Sequence, residues 1–166
     1  MSEENQAKFD KFFNDYNEGN RPAYITEYPE AEIHTVNPEF VGLVKSFGIM
    51  ISPNNRIAIC ATLTEEATAA GYKIKTANAG GSMEAPKDNG DGTVTYYTNN
   101  TSIHGLMSTI FEIIVTDSAG KEVAKTNYSL ATYIKGIEGQ EGVDVAKALY
   151  TFGKAAWAAR LYLSTL

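Results

Sequence analysis

The sequence predicts an α+β chain, mainly an antiparallel β-sandwich with an N-terminal helix and C-terminal helices packed on it. Three observations carry that prediction. Near the start, Phe9, Phe12, Phe13 and Tyr16 recur at i, i+3, i+4 and i+7, the period of one helix face. Through the middle, short apolar runs are bounded by clusters of Gly, Pro, Asn and Asp, as strands are bounded by turns. From Val145 the apolar positions again step by three and four, through Ala148, Leu149, Phe152, Ala155, Ala156, Ala159 and Tyr162.

The elements follow in order. The first helix covers Gln6 to Asn17. It stops at Asn17-Glu18-Gly19-Asn20, where Gly19 accepts a left-handed C-terminal position and Pro22 bars continuation. Arg21 to Pro29 reads as an extended connector. Glu32 to Val36 is a short strand and Phe40 to Ile51 a longer one, in which Gly48 marks a bulge or bend. Ser52-Pro53-Asn54-Asn55 turns the chain into Arg56 to Leu63, with Ile57, Ile59, Ala61 and Leu63 alternating inward; this is the clearest hairpin. Thr64 to Ala70 is a loop or helical turn, and Tyr72 to Thr76 a strand. Ala79 to Thr93 reads as a long hairpin loop. Thr93 to Thr98 alternates as a strand. Met107 to Thr116 is the most hydrophobic strand, and Asp117-Ser118-Ala119-Gly120 turns it into Lys121 to Asn127. Ser129 caps a short helix from Leu130 to Ile137, and Gly136, Gly139 and Gly142 separate it from the long final helix.

About seven short strands at this spacing specify two antiparallel sheets stacked as an Ig-like sandwich. The chain then divides into residues 1–22 (helix and connector), 23–127 (sandwich) and 128–166 (helical tail packed on the sandwich), together one structural unit. If the tail docks through Phe152, truncating that ring to alanine costs about 3 kcal/mol or more.

Composition narrows the function classes. A chain of 166 residues forms one domain with a core that needs no disulfide. The net charge of −6 and the lack of any basic run exclude a nucleic-acid surface, which needs clustered Lys and Arg against phosphate. The single cysteine, Cys60, excludes an internal disulfide and a multi-cysteine metal site; within I-A-I-C-A-T-L it reads as a small buried apolar residue. No apolar run reaches the roughly 18 residues of a membrane helix. The opening M-S-E-E-N-Q is no signal peptide, so an export signal is expected outside this sequence.

Little in the chain points to chemistry. His34 and His104 are far apart and in no metal-ligand spacing. No G-x-S-x-G elbow is present, and Gly80-Gly81 opens no phosphate loop. Lys87 to Val94 approaches a calcium loop, but Lys87 stands at the first ligand position and Thr98 where the bidentate Glu belongs, so a turn is expected. The expectation is no catalytic residue, no metal and no cofactor. The sharper alternative is a glycan platform at Tyr96 and Tyr97 with Asn99 and Asn100. Rings stack on apolar sugar faces and amides read hydroxyls; strand alternation lets only one of the two rings face outward. Trp157 is expected to pack helix on sheet, and the alanines of the last helix permit close approach of another element.

The runs Y-S-L-A-T-Y-I (Tyr128 to Ile134) and A-K-A-L-Y-T-F-G-K-A-A (Ala146 to Ala156), with S-F-G-I-M-I-S-P-N-N-R-I-A-I, D-G-T-V-T-Y-Y and V-T-D-S-A-G-K before them, carry a resemblance. Together they resemble the C-terminal β-sandwich-plus-helix module of large exported multidomain proteins from anaerobic, gut-type Gram-positive bacteria. Phe152 stands where that pattern usually has Tyr before Gly153. K-F-F-N-D-Y-N near the start also resembles the end of the module's final helix, which leaves two readings of residues 6–18: the last helix of a preceding repeat, or an ordinary aromatic amphipathic helix. The resemblance implies the fold and an extracellular setting, and carries over no catalytic residue. The expected function is a non-enzymatic structural or interaction module of a secreted or cell-surface bacterial protein. Its expected partners are neighbouring modules or other surface proteins, with no nucleic acid and no membrane insertion; the alternative is carbohydrate binding.

Overall fold

The computed structural model describes residues 2–17, 27–52, 56–77, 85–98, 101–102 and 110–164. Helix α1 runs from Glu3 to Asn17, with Glu3 and Glu4 against the positive end of its dipole and the Ser2 hydroxyl accepting the Asn5 amide at 3.3 Å. After the connector a 3-10 turn, Glu30–Glu32, leads through residues 33–36 to α2, Pro38–Leu43. Strand β1, Val44–Ser52, pairs antiparallel with β2, Arg56–Leu63. Helix α3, Glu65–Ala69, is capped by Thr64 and leads into β3, Lys73–Ala77. Strands β4 (Lys87–Asp88), β5 (Val94–Tyr97), β6 (Thr101–Ser102), β7 (Phe111–Thr116) and β8 (Glu122–Tyr128) follow. The chain ends in α4, Leu130–Gly136, and α5, Val143–Ser164.

The strands form two antiparallel sheets. One has the order β1-β2-β5-β4, with β6 also pairing β2; the other has the order β3-β7-β8. Ile59, Ala61, Leu63 and Tyr96 from the first sheet and Ile74, Phe111, Ile113, Val115, Ala124 and Tyr128 from the second belong to one buried cluster. A chain of edge-to-face rings runs through it: Phe40 to Phe47 at 5.4 Å, Phe47 to Tyr128 at 5.1 Å and Tyr128 to Phe111 at 5.6 Å between centroids. A second cluster joins α4 and α5 through Leu130, Ala131, Ile134, Ala146 and Tyr150, and Ile49 and Tyr133 pack against both clusters. Helix α4 is therefore the wedge between sheet and final helix.

The mixed helix and antiparallel-sheet architecture agrees with the sequence reading, as do the hairpin β1–β2, the Ser129 cap and the glycine break. Gly139 and Gly142, at φ 81° and 88°, take left-handed backbone in the turn between α4 and α5 and re-aim the chain. Strand β4 lies within the stretch read as a hairpin loop, where it pairs with β5, and five further details differ. Residues 33–36 form no strand, because Glu30–Glu32 is a 3-10 turn whose last carbonyl is taken by side chains of α4. Residues 40–43 are helical, because Asn37 caps the Glu39 amide at 2.8 Å and Pro38 occupies the first helical position. The irregularity in β1 falls between Val44 and Ser46, while Gly48 pairs in register with Cys60. Phe9 and Phe13 of α1 are exposed, and α1 packs against α5.

The fifth correction concerns the tail. Helix α5 packs chiefly on α4 and α1, and of the two C-terminal helices it is α4 that packs on β1. The buried line of α5 is Ala146, Tyr150 and Gly153, one residue out of phase with the expected stripe, and Phe152 is 58% exposed. A one-residue shift turns a helix face by about 100°. Trp157, half-buried, lies under the Arg160 guanidinium at 5.6 Å from the ring centroid. The predicted turn at residues 53–55, the Gly80-Gly81 pair, His104 and Asn99-Asn100 lie outside the described residues.

Candidate functional site: a carboxylate clamp between strap and tail

Among the described residues a dense polar arrangement is built on Glu32, in the strap between α1 and α2. Its carboxylate accepts from the Tyr150 hydroxyl through Oε2 and from the Lys154 ammonium through Oε1. Tyr150 and Lys154 are i and i+4 on α5, so one helix face presents both donors. The Glu32 backbone carbonyl accepts from the Ser129 hydroxyl and, at 3.1 Å, from Thr132 Oγ1. Ser129 also caps α4 by accepting the Thr132 amide at 3.1 Å, and Thr132 Oγ1 accepts the His34 amide at 3.0 Å. Tyr28 stands edge-on to Tyr150, 4.6 Å between centroids, and Lys154 Nζ lies 5.3 Å from the Tyr150 ring centre. One residue thus ties the strap to both C-terminal helices.

The clamp is only partly dry: the Glu32 side chain is 20% exposed and Lys154 26%. Tyr150 itself is fully buried. Burial first, then the hydrogen bond to Glu32, pushes its phenol far above the ordinary value. The hydroxyl therefore stays protonated as a donor throughout the physiological range. Charge-assisted bonds of this kind are stronger than neutral ones and hold geometry.

Two clefts flank the strap. One, of about 310 Å³, lies between residues 33–36, Phe47, Tyr128 and the end of α4, with His34, Thr132 and Lys135 on its walls. The other, of about 230 Å³, is lined by Glu27, Tyr28, Ile33, Ile134, Lys135, Glu138 and Lys147. Lys135 Nζ pairs with Glu138 at 2.7 Å between them.

The sequence candidates fall elsewhere. Tyr96 is 8% exposed, sits in the core and donates to the Tyr72 carbonyl at 3.4 Å, so it is the ring of the pair that packs and offers no platform. Tyr97 is half-buried in register with Cys60, which itself pairs with Gly48. Cys60 is half-buried, its thiol held up by burial and directed at the Gly48 carbonyl, 3.6 Å away.

In the calcium-like stretch, Asp88 accepts the Gly90 amide at 2.8 Å. Asp91 accepts the Thr93 amide at 3.0 Å and pairs with Lys45 at 3.3 Å. These bonds close a turn, as expected of Asp beside Gly. Among the described residues no group of three or more His, Cys, Asp or Glu side chains converges, and no helix is long and apolar enough to cross a membrane.

Glu32, Tyr150 and Lys154 were not singled out by the sequence. Tyr150 and Lys154 at helical spacing were the available signal, but nothing local links them to a glutamate more than a hundred positions earlier.

A scan of protein-family models finds no match to this chain, and searches of the curated proteins and of the solved structures find none either.

Proposed function

We propose that this chain is a non-enzymatic structural and interaction module of a secreted or cell-surface bacterial protein, built as an Ig-like sandwich closed by a helical joint. The observation that carries this reading is the strand order. The sheets β1-β2-β5-β4 and β3-β7-β8 follow, in sequence order, the A-B-E-D and C-F-G sheets of constant-type immunoglobulin domains. That architecture recurs in many cell-surface modules, which supports the extracellular reading by analogy of fold. The Glu32 clamp supports the joint: its donors are spent on fastening the strap to α4 and α5, at the end where a neighbouring module would attach. Fractionating the source cells with an antibody to this chain tests the reading. The chain is expected in the wall or culture fraction, within a larger polypeptide; a cytoplasmic, free-standing chain would overturn it.

A second reading, glycan binding, keeps Tyr97 alone. The ring shares a row with Cys60 and Gly48, and a side chain added at Gly48 would meet nothing within 4 Å, so the surface beside the ring is open. Pull-down on a polysaccharide panel, repeated with Tyr97→Ala, tests it: retention that the substitution abolishes supports a platform, and unchanged retention or none rejects it.

A further inference from the structure

Strand β1 is the outer strand of its sheet, paired with β2 on one side only. The hydrogen bonds of β2 show which backbone groups of β1 that pairing consumes. Ile59 directs both of its groups away from β1: its carbonyl accepts the Thr98 amide at 3.0 Å and its amide donates to the Thr98 hydroxyl at 2.8 Å. Ile49, opposite Ile59, therefore sits in a non-hydrogen-bonded pair and points its own N–H and C=O outward. Alternation gives Phe47 and Ile51 the same orientation. Among the described residues no hydrogen bond takes up the N–H and C=O groups of these three. Helix α4 meets β1 at the Ile49 side chain, and residues 33–36 stand across a cleft of about 310 Å³ from Phe47; neither bonds to this edge.

Sheets normally protect an open edge with charge, proline or shortness. The other described edges do so. Strand β3 exposes Lys73 and Lys75, β8 exposes Glu122 and Lys125, and β4 and β6 are two residues each. From Ser46 to Ser52, β1 reads S-F-G-I-M-I-S, without a charge or a proline.

The same run is self-complementary. A two-fold axis at Ile49 lays a second, antiparallel β1 along the edge, with Ile49 opposite Ile49, Phe47 opposite Ile51, Gly48 opposite Met50 and Ser46 opposite Ser52. In that register every outward donor of Phe47, Ile49 and Ile51 meets an outward acceptor of the other copy. On the face away from the core Met50, 43% exposed, comes opposite Gly48, where an added side chain would meet nothing within 4 Å. Lys45, the nearest charge, falls outside the run and pairs with Asp91 of its own chain.

We infer that β1 is a self-association edge: two copies of this chain pair antiparallel through Ser46–Ser52 and join their larger sheets into one continuous sheet across the two-fold axis. The edge asks for an extended strand, and an isologous contact needs a patch that completes itself, as this one does in the Ile49 register. The inference goes beyond the module reading and does not depend on where the chain resides.

Sedimentation of the whole chain over a concentration series, with amide hydrogen exchange at its two extremes, tests it. A dimer is expected. On dilution the Phe47, Ile49 and Ile51 amides should lose protection tenfold or more, while those of Gly48 and Met50, bonded to β2, keep theirs. Met50→Lys should weaken the dimer tenfold or more with unchanged circular dichroism, since that side chain is exposed and lysine guards edges. Adding Gly48→Glu should restore most of the loss, because the new carboxylate then faces the new ammonium of the other copy. A chain that stays monomeric up to about millimolar concentration overturns the inference. So does a dimer indifferent to Met50→Lys, or one in which the three amides exchange as fast as in dilute solution. Cell fractionation reads the module proposal separately, so an exported but monomeric chain overturns self-association alone.

Discussion

Glu32 joins three elements, through its carboxylate to α5 and through its carbonyl to the start of α4. Replacing it with alanine leaves the Tyr150 hydroxyl buried without its acceptor and frees Lys154, at a cost of about 1–3 kcal/mol measured by denaturant unfolding. Tyr150→Ala removes a fully buried ring and should cost about 3–5 kcal/mol, whereas Phe152→Ala, two residues away, should stay within about 0.5 kcal/mol in the monomer. The contrast inverts the sequence expectation, and equal losses at the two positions would refute the packing. Tyr128 and Tyr150 both have phenols raised by burial. The native state therefore keeps protons that the unfolded chain releases near the ordinary tyrosine value of about 10. Their contribution is whole below about pH 10 and shrinks as pH climbs above it. Tyr128→Phe with Tyr150→Phe should flatten that alkaline loss of melting temperature.

Helix starts were legible where a side-chain oxygen does the capping. Ser129 was read correctly, and Asn37-Pro38 carried the same kind of signal, but the apolar run after Phe40 read as strand and outweighed it. Ser129→Ala should cost about 1–2 kcal/mol, because the hydroxyl both caps α4 and donates to the Glu32 carbonyl. The long helix α5 was equally legible as a helix. Its buried face was not, because a helix with apolar residues on two sides offers periodicity two solutions. Ala146 and Tyr150 pack with the wedge α4, while Val145 and Phe152 face out.

At the scale of the molecule there are two clusters bridged by Ile49 and Tyr133, with α1 held on α5 around Tyr162, where Phe12 lies 6.3 Å from its ring. Hydrogen exchange should find the strongest protection in β2 and β7, at the centres of their sheets, and the weakest in α1, which packs on one helix and exposes two of its rings. Protection of α1 equal to that of β7 would contradict this arrangement. By itself the sequence determined most element types outside residues 33–43, the antiparallel sheets, the hairpin β1–β2 and the break before the last helix. Those follow from periodicity, caps and turn residues acting within a few positions. Only the tertiary structure decided that Tyr96 packs inward, that α5 leans on α4, and that Glu32 meets Tyr150 and Lys154. Such contacts join positions far apart in the chain, and their energy depends on which surfaces the sheets leave open, which no local pattern records.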